Sequence, residues 1–157
     1  MGFSGLPSSD NRRMSMTYKE LQQRREQVLN RPKSMPRYTD AEKTLYYETA
    51  KNRAITIHYC PRYIKEKLNI ITAYILHAYP NTEYIGIAGS YLKGEYVDEH
   101  TSEEFKRLRE LIRYKTKRSD FDMIVSPYVQ DSFSIDDMEV QFMPPNNAST
   151  PLYQCGQ

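Results

Sequence analysis

The sequence predicts an α+β protein: a small mixed β-sheet with helices packed on one side, and a helical extension at the N-terminus. Two observations predict this class. Four apolar residues recur at helical spacing in the middle of the chain, namely Ile64, Leu68, Ile71 and Ile75. Three short apolar runs have the length and composition of strands, at 83–88, 121–125 and 138–143. Because helices and strands follow one another in an irregular order, a mixed sheet with one helical layer accommodates them.

Length and composition indicate one globular domain. The chain has 157 residues, of which 39% are hydrophobic and 27% charged, as in soluble proteins with one core. We expect no membrane partner, since no apolar run reaches the length of a membrane span and the N-terminus lacks a secretion signal. Cys60 and Cys155 are far apart in sequence and form neither a disulfide framework nor a zinc site. This predicts a reducing, cytoplasmic setting.

The N-terminal third is predicted to be helical and polar. Residues 1–14 have no periodicity and predict a flexible arm. Thr17-Tyr18-Lys19-Glu20 has the form of a capping box and predicts a helix to about Asn30, followed by a linker that contains two prolines. Thr39-Asp40-Ala41-Glu42 is a second capping box, and its helix should break near Pro61.

Apolar periodicity, and the prolines that end helices or strands, predict the later elements. The helix that begins at Arg62 should end before Pro80, and the strand 83–88 runs directly into Gly89-Ser90. Thr101-Ser102-Glu103-Glu104 predicts the cap of another helix. Its basic face is interpreted either as a solvated amphipathic surface or as an insertion that contacts an acceptor. Pro127 should stop the second strand.

Charge is distributed unevenly along the chain, and this distribution supports a division into three segments. Residues 1–53 hold eleven Lys or Arg and six Asp or Glu, a net charge of +5, whereas residues 54–157 hold eleven and fourteen, a net charge of −3. We expect a basic arm at 1–38, a domain at 39–143 and an irregular, Pro/Asn/Ser-rich tail at 144–157. A basic arm fits contact with nucleic acid or an acidic protein surface, and equally a solvated helical extension.

Asp120 and Asp122 are the candidate metal ligands. They open the second strand one residue apart, and side chains two residues apart on a strand share one face. Two adjacent carboxylates stay ionised only if positive charge lies between them. A divalent cation with oxygen ligands is the usual solution.

Gly89-Ser90-Tyr91-Leu92-Lys93-Gly94 is the candidate phosphate-binding segment. Glycine lets the backbone approach an anion closely, and free N–H groups in a tight turn bind phosphate oxygens. Ser90 would donate its hydroxyl to a phosphate oxygen, Lys93 would counter the charge of departing pyrophosphate, and Gly94 would let the chain turn beside the ligand. Tyr91 is a candidate for stacking on a base.

The combination resembles the polymerase-beta-like nucleotidyltransferase superfamily. The resemblance covers about residues 62–143 and consists of Gly89-Ser90 with Gly94 and of Ser119-Asp120-Phe121-Asp122 at the start of an apolar strand. It implies the nucleotidyltransferase fold, two Mg²⁺ ions (or Mn²⁺) held by Asp120 and Asp122, and a nucleoside triphosphate on Gly89 and Ser90. Small solitary domains of this type also resemble those of tailed bacteriophages.

The resemblance further implies a third carboxylate on a neighbouring strand. Glu139 is the expected third catalytic and metal-binding residue, because it lies opposite the apolar face of its strand. Asp137 lies on the same face and is the alternative. The family more often uses aspartate at this position, with a longer separation from the pair.

Two functions from different classes follow. The first is a metal-dependent nucleotidyltransferase that moves NMP from a nucleoside triphosphate to the hydroxyl of an unidentified protein or nucleic-acid acceptor, with Asp120, Asp122 and Glu139 as catalytic residues. The second is a structural or assembly protein, such as a bacteriophage virion or head–tail neck component, that retains the fold. Its basic arm would contact a larger protein assembly, and its location would be the host cytoplasm or the virion.

Overall fold

The computed structural model describes residues 17–29 and 37–156. The arm predicted for residues 1–14 and most of the predicted linker lie outside the described residues. In chain order the elements are α1 (Tyr18–Leu29), α2 (Asp40–Arg53), α3 (Arg62–Ala78), β1 (Tyr84–Ala88), α4 (Gly89–Lys93), α5 (Glu103–Arg113), β2 (Phe121–Ser126), β3 (Phe133–Ile135), β4 (Met138–Phe142) and β5 (Thr150–Gln154). None of these helices has both the length and the apolar composition to cross a membrane, as far as the described residues extend.

The predicted helix starts are confirmed. In the box before α1, Glu20 N donates to Thr17 Oγ1 at 3.1 Å and Thr17 N donates to Glu20 Oε1 at 3.0 Å. The box before α2 has the same reciprocal pair between Thr39 and Glu42. These bonds satisfy backbone N–H groups that lack partners in the first helical turn.

The predicted end of α2 near Pro61 is wrong, since the helix stops at Arg53. The Arg53 guanidinium donates to the backbone oxygens of Gly94 and Tyr96, each at 2.8 Å. Two residues later, Ile55 N donates to Tyr91 O at 3.0 Å. Contacts with the segment after β1 thus take the backbone out of the helix before the proline.

The five strands form one mixed sheet in the order β3-β4-β2-β1-β5. β2 runs antiparallel to β1 and parallel to β4. The strands β3 and β5 were not predicted, and the prediction that the tail is irregular is wrong for Thr150–Gln154. β5 pairs with β1 along the free edge of that strand and carries a register irregularity opposite Ile85 and Gly86.

The main core lies between α3 and one face of the sheet. The predicted apolar stripe of α3 is fully buried. It packs with residues of β1, β2 and β4 that alternate along each strand: Ile85, Ile87, Phe121, Met123, Val125, Met138 and Val140. The other face of β2 therefore carries Asp122 and Ile124. This geometry places the acidic motif on the face away from α3.

A second core cluster joins α2 to α5 through Tyr46, Ala50, Val97, Phe105 and Leu108. The two clusters are linked by a column of stacked planar groups. In order, its members are Phe121, Tyr91, Tyr96, Arg53, Phe105 and Tyr46, and neighbouring groups are 3.9–5.0 Å apart. Stacked rings and a guanidinium above them attract one another beyond the area they bury.

Candidate functional site

The end of β1 and the start of β2 lie side by side. Ala88 pairs with Asp122 across the antiparallel ladder. After Ala88 the chain turns into α4 through Gly89, whose φ is +64°. A Cβ added at Gly89 would overlap the Asp122 carboxylate and would lie 2.9 Å from both Cβ and Cγ of Asp122. Glycine is required here because of both the left-handed backbone and the close approach of this carboxylate.

Asp120 and Asp122 are placed together, as the spacing predicted. Asp122 is half-buried, and its pKa is raised to about 6, first by burial and then by the negative charge of Asp120. The positive charge of Lys115 opposes this shift. Ionising both carboxylates at neutral pH therefore costs free energy, which a cation bound between them would offset.

Ser119 fixes the start of the acidic motif. Its Oγ accepts hydrogen bonds from Val97 N at 2.9 Å and from Arg109 Nη2 at 3.3 Å. Its backbone N donates to Val97 O at 3.0 Å. Three bonds therefore hold the residue before Asp120, and two of them come from the loop that follows α4.

The register of β4 determines what lies beside the carboxylate pair. The parallel ladder places Gln141 opposite Asp122, and Gln141 Nε2 donates to Asp120 Oδ2 at 3.0 Å. Glu139 lies two residues before Gln141 on the same face of β4, level with Asp120 in this register, and it accepts a hydrogen bond from Ser134 Oγ at 2.9 Å across the β3–β4 ladder. The neutral Gln141 amide therefore contacts Asp120, and the Glu139 carboxylate lies on the same face of the sheet.

Within residues 17–29 and 37–156, no group of three or more His, Cys, Asp or Glu side chains is arranged to hold a metal ion. The alternative acid, Asp137, is exposed and lies 3.4 Å from Arg118. Asp120 and Asp122 thus remain the two candidate ligands, and the role expected for Glu139 stays a prediction.

The predicted phosphate-binding residues separate into two groups. Gly89 and Ser90 form the first turn of α4 beside Asp122, and Lys93 is exposed at the end of the same short helix. Gly94 is buried, with φ +80°, and a Cβ there would overlap the carbonyl oxygen of Ala50 in α2. The structure therefore gives Gly94 a packing role between α4 and α2.

Tyr91 is not available for stacking on a base. It is 1% exposed and lies between the rings of Tyr96 and Phe121, with both centroid distances 4.4 Å. The tyrosine that the sequence placed beside the phosphate segment belongs to the core.

Sequence reasoning missed three residues around the site: Lys115, Gln141 and Arg109. The polar alternation of Glu139 and Gln141 indicated their common face, but the strand register was needed to choose between them. Lys115 lies in the basic segment after α5, and its approach to Asp122 depends on tertiary packing. Comparisons of the chain with protein-family models, with curated proteins and with solved structures gave no match.

Proposed function

We propose that the chain is a metal-dependent nucleotidyltransferase whose site lies at the adjacent ends of β1 and β2. The observation that carries this proposal is the pair Asp120 and Asp122, packed against Gly89 at the start of the phosphate-binding segment. The raised pKa of Asp122 supports it, because two carboxylates crowded at a half-buried position are stabilised by a divalent cation.

In this proposal each part of the site has a defined task. Asp120 and Asp122 hold Mg²⁺ or Mn²⁺, which when bound stabilises charge on phosphate oxygens during in-line displacement. Gly89 and Ser90 bind the triphosphate, and Lys93 stands at the exposed end of the same turn. The Gln141 amide orients Asp120 through its hydrogen bond. The acceptor is a protein or nucleic-acid hydroxyl.

Label transfer tests the proposal. The protein is incubated with labelled nucleoside triphosphates and Mg²⁺, and incorporation is compared among wild type, Asp120→Asn and Asp122→Asn. We expect loss of about 100-fold or more in both variants, as for removal of groups that stabilise transition-state charge. Asp131→Asn, at an exposed carboxylate that contacts Tyr79, is the matched control. Incorporation that survives both site substitutions would refute the assignment.

Glu139→Gln then tests the third acid. If Glu139 completes the site, this variant should lose transfer as strongly as Asp122→Asn. If Glu139 serves only the contact with Ser134, transfer should remain within about threefold of wild type, since surface polar substitutions have small effects.

A second candidate function is favoured by Gln141. A neutral amide beside the carboxylate pair is also what an assembly protein would carry if it kept this fold without its chemistry. In that case wild type should bind Mg²⁺ but transfer no label, and Gln141→Glu should place a third carboxylate beside Asp120 and strengthen Mg²⁺ binding. Robust transfer by wild type would eliminate this candidate.

A further inference from the structure

A groove of about 620 Å³ is lined by residues of α5, together with Val97, Lys115 and Thr116. Its size is within the range of ligand sites. Val97 lines the groove, and its backbone N donates a hydrogen bond to Ser119 Oγ at the start of the acidic motif. Lys115 lies close enough to Asp122 for each charge to affect the pKa of the other group. We name the part of the lining that holds Arg107, Arg109, Lys115 and Thr116 the basic end of the groove.

The wall of the groove at this end contains a buried arginine whose hydrogen-bond acceptors are neutral. Arg109 is 5% exposed, and its guanidinium donates to Lys117 O at 2.7 Å and to Ser119 Oγ at 3.3 Å, both neutral acceptors. Within the described part of the chain it forms no ion pair. Burial and the nearby Arg53 lower the pKa of Arg109, although the phenol of Tyr46 and the carboxylate of Glu95 oppose the shift. A buried cation with neutral partners leaves positive potential around it.

Two more cations add to that potential. Arg107 and Lys115 are exposed and line the groove, and neither forms an ion pair among residues 17–29 and 37–156. Crowding by protein atoms, followed by repulsion from Arg109 and Arg113, lowers the pKa of Lys115. Arg113 itself is neutralised by Glu95, to which its Nε donates at 2.7 Å.

Three acidic residues, Glu103, Glu104 and Glu110, also line the groove. Glu103 and Glu104 belong to the first turn of α5, and Glu103 is paired with Lys106 at 3.2 Å. Glu110 is exposed on the rim. Four cationic and three acidic side chains thus line the groove, and the pairing of Glu103 with Lys106 leaves Arg107, Arg109 and Lys115 as its cations outside an ion pair among the described residues.

We propose that the basic end of this groove binds phosphate through Lys115 and Arg107, over the buried charge of Arg109. The phosphate belongs either to the nucleoside triphosphate or to a phosphate-bearing acceptor. Guanidinium and ammonium groups bind phosphate oxygens through charge-assisted hydrogen bonds. Phosphate binding here does not require transfer chemistry. Only its proximity to a bound cation rests on the proposed function.

Calorimetric titration with inorganic tripolyphosphate, in low salt and without divalent cations, tests the site. We expect wild type to bind, and Lys115→Ala and Arg107→Ala each to weaken binding by about three- to tenfold, as for loss of one charge-assisted bond. Lys115→Arg should retain binding. Lys65→Ala, at an exposed lysine of α3 that does not line the groove, is the matched control and should change affinity less than about twofold. Absence of binding by wild type, or equal affinity of both site variants and wild type, would overturn the proposal.

Competition identifies the source of the phosphate. If the site holds the triphosphate of the nucleotide, saturating Mg²⁺ and nucleoside triphosphate should displace tripolyphosphate. If it holds phosphate of the acceptor, both ligands should bind together. Both results retain a phosphate site and assign its ligand.

Titration with Mg²⁺ alone separates this proposal from the proposed function. Lys115→Ala should strengthen Mg²⁺ binding by a few fold while it weakens tripolyphosphate binding, because the removed charge repels a cation and attracts an anion. Tripolyphosphate binding without Mg²⁺ binding in wild type would preserve the phosphate site and reject the cation site. If Lys115→Ala weakens the binding of both Mg²⁺ and tripolyphosphate, the placement of Lys115 beside the carboxylates is rejected.

Discussion

Asp122→Asn should stabilise the protein at neutral pH. The folded-state pKa of Asp122 is about 6, against an ordinary value of 3.8, so the folded state binds the proton more tightly than the unfolded state does. At about 1.4 kcal/mol per pH unit, ionisation of Asp122 lowers the free energy of unfolding by up to about 3 kcal/mol. This loss is absent below about pH 3.8, grows as pH rises, and is complete above about pH 6. Asparagine has nearly the same shape and carries no charge.

Urea unfolding of wild type and Asp122→Asn at pH 8 and pH 4 measures this effect. The variant should be more stable than wild type by about 2–3 kcal/mol at pH 8 and nearly equal to it at pH 4. Taking the difference between the two proteins cancels the groups that titrate equally in both. Asp131→Asn should change stability by less than about 0.5 kcal/mol at either pH. A variant that is less stable than wild type at pH 8, or whose free energy of unfolding differs from that of wild type by the same amount at both pH values, would contradict the assignment of the charge penalty to Asp122.

Two further substitutions test the packing around the site. Gly94→Ala should reduce the free energy of unfolding by more than about 3 kcal/mol, because a left-handed φ and an overlap with the backbone of Ala50 both oppose a Cβ. Gly156→Ala is the control, since Gly156 also has a positive φ but faces open space. It should lower the free energy of unfolding by only about 1 kcal/mol in the same urea experiment. Arg113→Met should cost about 3 kcal/mol at pH 7, because it leaves the buried Glu95 carboxylate without its ion pair. Burial raises the pKa of Glu95, but hydrogen bonds from Arg113 and Tyr46 outweigh it and lower the pKa. The cost of the substitution should therefore shrink as pH falls below 4.5. A cost independent of pH would contradict the ion-pair explanation.

Local signals predicted most of the helices and the central strands. The capping boxes at Thr17 and Thr39 and the apolar stripe of α3 depend on residues three or four positions apart, so the sequence alone contains them. The end of α2 at Arg53 depends on carbonyl groups about forty residues away, at Gly94 and Tyr96. No local pattern signals such a contact.

Of the two edge strands that were not predicted, β5 has a composition that explains the failure. β5 follows a Pro/Asn/Ser-rich loop and contains Pro151, which argues against a strand when the sequence is considered alone. At the edge of a sheet a proline is tolerated, and here it lies opposite Gly86, beside the register irregularity. Thr150 Oγ1 also donates to Ile55 O at 2.9 Å, which fixes β5 to the turn after α2. Non-local contacts thus order a segment whose composition is that of a loop.

In the candidate site, too, local features were predictable from the sequence and non-local ones were not. Proximity of Asp120 and Asp122 follows from their spacing, and the position of Gly89 follows from the end of β1. The residues beside the pair depend on how β2 and β4 align, and a shift of one residue on β4 would place its apolar face beside the carboxylates. The actual register places Gln141 opposite Asp122 and Glu139 level with Asp120, where Gln141 donates to Asp120 and Glu139 accepts a bond from Ser134. Sequence spacing therefore determined the pair but not its third neighbour.

Two charged side chains that oppose stability lie near Ser119. Asp122 ionises at a half-buried position beside the negative charge of Asp120, and Arg109, which donates to Ser119 Oγ, is buried with neutral partners. Arg109 forms no ion pair with the carboxylates in the described part of the chain. A core selected for stability alone would pair or remove such charges. The ligand that suits them is positive at the carboxylates and negative at Lys115, which is the charge distribution of a divalent cation bound to phosphate. The electrostatics of these side chains thus favour the proposed site independently of any family resemblance.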